Sequence, residues 1–461
     1  MTIPYRNRTI KKALFEKTSV FFIAAILSLI ALYACKDDDD KDEKRTIRFA
    51  VIADPHLYAT KLGTSGPDFE AYVKEQVKML KHSEVIFEAA IRQLLEIDPR
   101  PEFLLIPGDL TKDGEEESHL KMADYLEAVK ASGIDVFVVP GNHDVDNPEA
   151  AAYGSYGSAR VYSPDADSFA GIYEPFGYGQ AISRDPHSLS YVAEPAPGLR
   201  LFAIDACRYE ENSDEYHIEG GRVKPETMEW LLDNLNDAAD AGKSVIAMMH
   251  HGLVEHFKGQ GEYTYDFIIE EWDEIGYELA HAGMNVIFTG HWHSQNITHR
   301  QWDDDTFVVE VQTGTLLGYP VPMRVVDFDL SASKMDVKSL FIEDIPDVSF
   351  ICDGPVDCAF ADYAYEFTHT HVHSFAFNEL TARFDLTPGQ IETVVPMLAE
   401  ATIAHFAGDE RPSIDTFTEA LHLAASDDPA LSEIGFLLLS VWWDLPPKDN
   451  DETIILKPLR R

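Results

Sequence analysis

A chain of 461 residues exceeds one average domain, and its 80 acidic against 37 basic side chains give a formal net charge of −43. That field excludes a binder of large nucleic acids and a protein drawn to anionic lipid headgroups by its overall charge. Any phosphate chemistry must therefore rest on a local positive centre.

Arg6, Arg8, Lys11, Lys12 and Lys17 precede the apolar run Ser19 to Ala34, which falls short of the roughly 18 apolar residues of a spanning helix. Its end, "LYAC", resembles a bacterial lipobox. The resemblance makes residues 1–35 a lipoprotein signal peptide, with cleavage before Cys35 and lipid attached to its sulfur. The expectation is an extracytoplasmic protein of the cell envelope, held to the membrane by an N-terminal lipid anchor; a short uncleaved anchor is the competing reading. Residues 36–45, "KDDDDKDEKR", cannot collapse and read as a solvated tether. The run is similar to the export signal of lipoproteins displayed on the outer surface of some Gram-negative bacteria, against the plainer reading of a spacer with no address.

From residue 46, short apolar runs alternate with amphipathic helical stretches. The expected strands are 46–53, 103–106, 135–139, 199–204, 244–249, 285–289, 307–311 and 324–330, with helical patterns at 71–97 and 225–241. Apolar strands alternating with helices imply sheets covered on both faces, so residues 46–345 read as a layered α/β domain. The stretch from Ala150 to Pro186 is rich in Tyr, Gly, Ser and Pro and has no period; it reads as a lid or binding loop or as a surface excursion. Residues 346–461 turn to helical blocks and read as a small helical C-terminal domain. Of the four cysteines, Cys35 is assigned to lipid, Cys352 and Cys358 flank a turn short enough for a disulfide, and Cys207 follows an apolar run as a buried thiol.

Each of five apolar runs is followed by polar residues of one kind: Asp54-Pro55-His56, Gly108-Asp109, Gly141-Asn142-His143-Asp144, His250-His251 and Gly290-His291-Trp292-His293. Strand C-termini share an edge in an α/β sheet, which is where ligands bind. Taken singly these pieces are commonplace. In their joint order, from residue 54 to 293, they resemble the calcineurin-like metallophosphoesterase family, whose blocks are D-x-H, G-D, G-N-H-D, H and G-H-x-H.

The resemblance implies a layered metallophosphoesterase sandwich and two metal ions. It places Asp54, His56, Asp109 and His293 on one ion and Asp109, Asn142, His250 and His291 on the other, with Asp109 as the bridge. Two ions roughly 3.5–4 Å apart can hold a bridging hydroxide for attack on phosphorus and clamp the departing oxygen. Iron, manganese and zinc all suit such N/O donors. Two divalent ions against two carboxylates leave a positive surplus in an acidic protein. His143 is implied to be a catalytic residue facing the substrate, with Asp144 orienting its ring or capping the next turn. Adjacent side chains do not readily point the same way, so one of His250 and His251 binds, and the resemblance favours His250.

The denser "THTHVH" holds His369, His371 and His373. On a strand they would share a face and could bind metal, but they lack the glycine turn and carboxylate of the five blocks, so a structural role is expected. The stretches "DPHLYATKLGTSGPDFEAYVKEQVKMLKHSEVIFEAAI", "GNHDVDNPEAA" and "SLSYV", with the lipobox and helical C-terminus, are similar to bacterial lipid-anchored proteins related to class III 3′,5′-cyclic nucleotide phosphodiesterases. The resulting expectation is an extracytoplasmic phosphodiesterase acting on a small phosphoester. The alternatives are a broad phosphomonoesterase or nucleotidase, or a surface-binding protein that keeps the fold without the activity.

Overall fold

The computed structural model describes residues 45–346, 359–408, 410–443 and 445–456. The signal peptide, Cys35, the tether up to residue 44 and the Cys352–Cys358 turn lie outside the described residues. Among the described residues no helix is long and apolar enough to cross a membrane.

The chain enters as β1 (Thr46–Val51), an apolar strand with its last three residues buried. The helical pattern expected over 71–97 is two helices, α1 (Pro67–Glu75), with proline at its first turn, and α2 (Ser83–Glu96). Between them Gln76 turns extended and a short 3-10 turn spans Leu80–His82. The break sends Met79 and Leu80 into the main core while Val77 packs on a separate cluster. Helical period in the sequence continued across a point where the side chains serve different cores.

β2 (Phe103–Pro107), α3 (Glu116–Ala131) and β3 (Asp135–Val139) follow. β1, β2 and β3 pair in parallel. The unpatterned stretch after residue 150 forms a hairpin, β4 (Ala151–Gly154) and β5 (Gly157–Arg160), then α4 (Ala166–Ile172). Its aromatic side chains Phe169, Tyr173, Phe176 and Tyr178 are buried in the main core, so much of it is packed structure; Tyr156 at the hairpin tip is exposed.

A second sheet is built from β6 (Ser183–Arg184), β7 (Tyr191–Ala196), β8 (Leu199–Ile204), β9 (Ser244–Met249), β10 (Val286–Thr289), β11 (Asn296–Gln301) and β12 (Phe307–Gln312). Its order is β11-β12-β10-β9-β8-β7-β6, with β8, β9, β10 and β12 parallel. Helices α5 (Pro225–Asp240), the one-turn α6 (Gln260–Tyr263) and α7 (Trp272–His281) lie in its connections. β13 (Pro322–Asp329) and β14 (Lys334–Phe341) return to the first sheet, β13 antiparallel to β1 and β14 antiparallel to β13. The two sheets face each other across one core, with Phe49 of β1 edge-on to Phe288 of β10 at 5.3 Å between centroids.

The C-terminal region is helical: α8 (Phe360–Arg383), α9 (Pro388–Ala407), α10 (Ile414–Ala424) and α11 (Pro429–Trp442). A capping box starts α9, with the Thr387 hydroxyl accepting from the Gln390 amide while the Gln390 side chain accepts from the Thr387 amide; left-handed Gly408 ends it. His369, His371 and His373 lie in α8, not on a strand. A two-residue step turns through about 200° on a helix, so the three cannot share a face. The His369 and His373 rings meet one turn apart at 4.6 Å, and His371 stacks on Phe367 at 4.0 Å. After α11 the chain rejoins the first sheet as β15 (Asp451–Ile455) beside β14, a strand the sequence did not announce. Fully buried Arg324 ties this return in place by donating to the backbone oxygens of Gln312, Asp449 and Asn450.

Candidate metal centre

The five polar blocks follow strands of both sheets: three after β1, β2 and β3, two after β9 and β10. Their ends converge, and the local backbone is strained there. Asp54, His56, Asp109, His291 and His293 have positive φ, of 48°, 38°, 47°, 71° and 61°. Non-glycine residues in this region cost on the order of 1–3 kcal/mol each and gather at functional sites. The motif glycines allow the close approach. A Cβ on Gly141 would collide with the Asp109 carboxylate and one on Gly290 with that of Asp54.

Two groups of donor atoms result, each drawn together within 4.8 Å: Asp54, His56, Asp109 and His293, and Asp109, His250 and His291. Asp109 belongs to both. In the first, His56 Nε2 lies 3.1 Å from His293 Nε2 and 3.4 Å from Asp109 Oδ2. In the second, His250 Nε2 lies 3.4 Å from Asp109 Oδ1 and 2.9 Å from Asn142 Oδ1. The structure thus brings all seven expected ligands to one place. His251 turns away, its Nε2 meeting the Glu219 carbonyl at 2.8 Å.

The donors fit divalent metal ions. His250 Nδ1 lies 3.0 Å from the Pro107 carbonyl, and His291 Nε2 lies 3.1 Å from that of Asp266. Each carbonyl fixes the ring proton on its own side and turns the other nitrogen's lone pair inward. His250 Nε2 then faces an Asn142 oxygen at 2.9 Å, an arrangement that a second ring proton or a metal ion between the two satisfies. Electrostatics agree. Burial drives the His56, His291 and His293 pKa values well below the usual histidine range, which keeps these imidazoles neutral. Burial also pushes Asp54 up to about 8, against the pull of His250. Burial opposes a charged His250, yet Asp109 outweighs it and lifts the pKa to about 9, while His250 and His143 in turn hold Asp109 well below the carboxylate range. Without metal, protons occupy positions where a cation belongs.

His143 stands beside both groups, its Nε2 3.9 Å from Asp109 Oδ2 and its ring 5.1 Å from that of His56. The residue that orients it is Asp113, whose Oδ1 accepts from His143 Nδ1 at 2.8 Å. Asp144, expected in that place, faces the other way. Its two carboxylate oxygens accept from the amides of Leu110, Thr111 and Gly141 and from the Thr111 hydroxyl, at 2.8–3.0 Å. Neighbouring side chains diverge, so Asp144 clamps the loop after β2 to the loop after β3 instead of holding the ring. Asp113 is itself paired with fully buried Lys112, whose ammonium lies 4.2 Å from the Tyr72 ring centroid.

Two further residues went unnoticed in the sequence. Lys78, 5% exposed, reaches His143 from the break between α1 and α2. His217 packs its ring 4.8 Å from that of His143, with Nδ1 3.5 Å from Glu149 Oε1 and, among the described residues, no partner for Nε2. Asp113 had a usable signal, being the second acidic residue of "GDLTKDG"; Lys78 and His217 lay in a helical pattern and a polar loop that offered none.

Two histidine and carboxylate clusters sharing one aspartate at converging strand ends define a dinuclear metallohydrolase type of site. A family model described as calcineurin-like phosphoesterase matches residues 47–295, more than half of the chain. The chain belongs to the calcineurin-like phosphoesterase family, whose members use two metal ions.

Among curated proteins it is similar to sphingomyelin phosphodiesterase 2 of Caenorhabditis elegans, at 23% identity over 47% of this chain and 36% of that protein. A probable glycerophosphodiester phosphodiesterase of Arcobacter nitrofigilis is 24% identical over 40% of this chain and 56% of its own. A 3′,5′-cyclic-nucleotide phosphodiesterase of Nostoc sp. is 31% identical over 22% and 33%. The chain thus spans from a third to just over half of the relatives it matches. Among solved structures, a dimetal phosphatase from Danio rerio aligns with TM-score 0.44 and 13% identity, covering 65% of this chain and 97% of that one. A purple acid phosphatase from yellow lupin aligns with TM-score 0.41 and 13% identity over 69% and 54%.

Proposed function

We propose that the protein is an extracytoplasmic, two-metal phosphodiesterase that hydrolyses small phosphodiesters, with 3′,5′-cyclic nucleotides as one candidate class. The observation that carries the reading is the shared Asp109: one carboxylate common to two donor groups, with His143 set beside them. In support of a diester, all three curated relatives above are named phosphodiesterases.

Asp54, His56, Asp109 and His293 would hold one ion and Asp109, Asn142, His250 and His291 the other. When bound, such ions supply an activated water and neutralise charge on the phosphoryl group. The chain's own residues do the rest. Asp113 fixes the proton of His143 on Nδ1 and turns Nε2 toward the space beside both clusters. With a second proton taken up from solvent, its charge balanced by Asp113, Nε2 would hydrogen-bond the phosphoryl group or pass that proton to the departing oxygen. Asp144 keeps Asp109 and Asn142 in register by joining their loops.

The test compares bis(p-nitrophenyl) phosphate with p-nitrophenyl phosphate on protein reconstituted with manganese, iron or zinc. A higher kcat/KM on the diester is expected, and a higher value on the monoester sinks the diesterase reading. Envelope location rests on the leader and on Cys35: Cys35→Ala should move the protein out of the membrane fraction, and unchanged fractionation would count against the lipid anchor.

A further inference from the structure

Lys78 is a buried cation at the metal centre that neither cluster nor the His143–Asp113 pair accounts for. Its backbone is pinned on both sides. The amide of Met79 donates to the Leu317 carbonyl at 2.8 Å, that of Leu80 donates to the Lys78 carbonyl at 2.8 Å, and Val77 and Met79 are packed into different hydrophobic clusters. The side chain is therefore aimed by the fold and not by its own flexibility.

What it reaches is a poor partner. Its ammonium group donates to His143 Nε2 at 3.5 Å, and among the described residues no carboxylate forms an ion pair with it. Burying a cation is costly unless it is paired and hydrogen-bonded. The chain did pair its neighbouring buried lysine: Lys112 has Asp113 and Glu115. Lys78 instead sits 5% exposed with one long hydrogen bond, on the side of His143 turned to the clusters. Its charge is felt at Asp54, His56, His143 and His293, residues of both the first cluster and its neighbour. Two N–H donors of the ammonium are left for an acceptor the chain does not supply, and in a site for phosphoesters that acceptor is anionic.

We propose that Lys78 contacts the substrate, its ammonium group binding a non-bridging oxygen of the phosphoryl group held beside the two clusters. In the unliganded protein it rests on His143 Nε2; on binding it turns to the phosphoryl oxygen and leaves Nε2 free for the leaving-group side. The inference rests on the phosphoester reading, but not on whether the ester is a monoester or a diester.

The test measures binding of inorganic phosphate to the manganese-loaded full chain by calorimetry, with metal content read in parallel, for wild type, Lys78→Met and Lys78→Arg. A charged hydrogen bond of this kind predicts that Lys78→Met weakens phosphate binding about tenfold to a hundredfold with two ions per chain retained, and that Lys78→Arg recovers part of the loss. Phosphate affinity within about twofold of wild type in Lys78→Met overturns the proposal. Loss of metal in both variants also overturns it, because Lys78 would then be supporting the clusters. If wild type binds phosphate but cleaves no diester, the proposed function fails while the Lys78 comparison still decides this inference.

Discussion

Asp113 Oδ1 accepts the Nδ1 proton of His143 at 2.8 Å, and the residue directly after that histidine, Asp144, takes no part in holding it. An outer carboxylate on a functional histidine typically carries about 10–100-fold in activity or affinity. Asp113→Asn keeps the shape and removes the charge, so kcat should fall by about that factor with KM and metal content nearly unchanged. Steady-state kinetics with metal analysis settle it, and an unaltered kcat removes Asp113 from the catalytic arrangement. Glu115 remains beside Lys112 in the variant, so the buried lysine keeps one carboxylate.

Because Asp109 belongs to both donor groups, its loss should be felt by both. Asp109→Asn retains a residue that tolerates the observed φ of 47° and removes the charge that two ions would share. Metal content should drop below two ions per chain, and hydrolysis should fall by more than the ~100-fold expected of an outer-shell partner. Full metal loading in this variant would mean that the clusters do not share their aspartate in function.

The strands that carry the site were legible because they are buried on both faces: 135–139 and 244–249 coincide with β3 and β9. The ligands were legible because each follows such a strand. What could not be read depends on direction, which sequence does not encode locally. Asp144 and Asp113 both lie near a ligand, and only the turn geometry decides which faces His143. Lys78 was hidden because the helical period runs on through 76–82 although the chain breaks there to serve two cores. The alternation at His369–His373 would give one face only on a strand; it lies in α8, in the helical region expected after residue 346, where Phe367 and the histidines stack along the helix surface. β15 escaped notice because its pairing partner, β14, lies more than a hundred residues earlier.

Gly290 offers a test of the close approach. A methyl group there would meet the Asp54 carboxylate and the Pro107 carbonyl, while the same change at Gly389, in the first turn of α9, meets nothing within 4 Å. Gly290→Ala should displace Asp54 and lower metal content with the fold retained by circular dichroism. Gly389→Ala should leave metal content alone and raise stability by roughly 0.5–1 kcal/mol. Normal metal loading in Gly290→Ala would show that the loop can shift without cost to the ligand.

His119 is fully buried, its Nε2 2.9 Å from the Asp144 carbonyl and its Nδ1 2.8 Å from the Tyr173 hydroxyl, so the neutral ring satisfies both neighbours. Burial lowers its pKa from 6.5 to about 4, with the Asp144 carbonyl opposing. Between those values the unfolded chain binds the proton and the folded one does not. The contribution is therefore fully present above pH 6.5 and is lost as the pH falls toward 4. At pH 5 the loss from this one group is about 2 kcal/mol. Urea unfolding in chelator, which removes the metal contribution, should show lower stability at pH 5 than at pH 7, and His119→Gln should flatten that difference while costing stability at both. A pH dependence identical in the variant would mean that the acid lability arises elsewhere. His82, lowered to about 4 by burial, is the next group to replace.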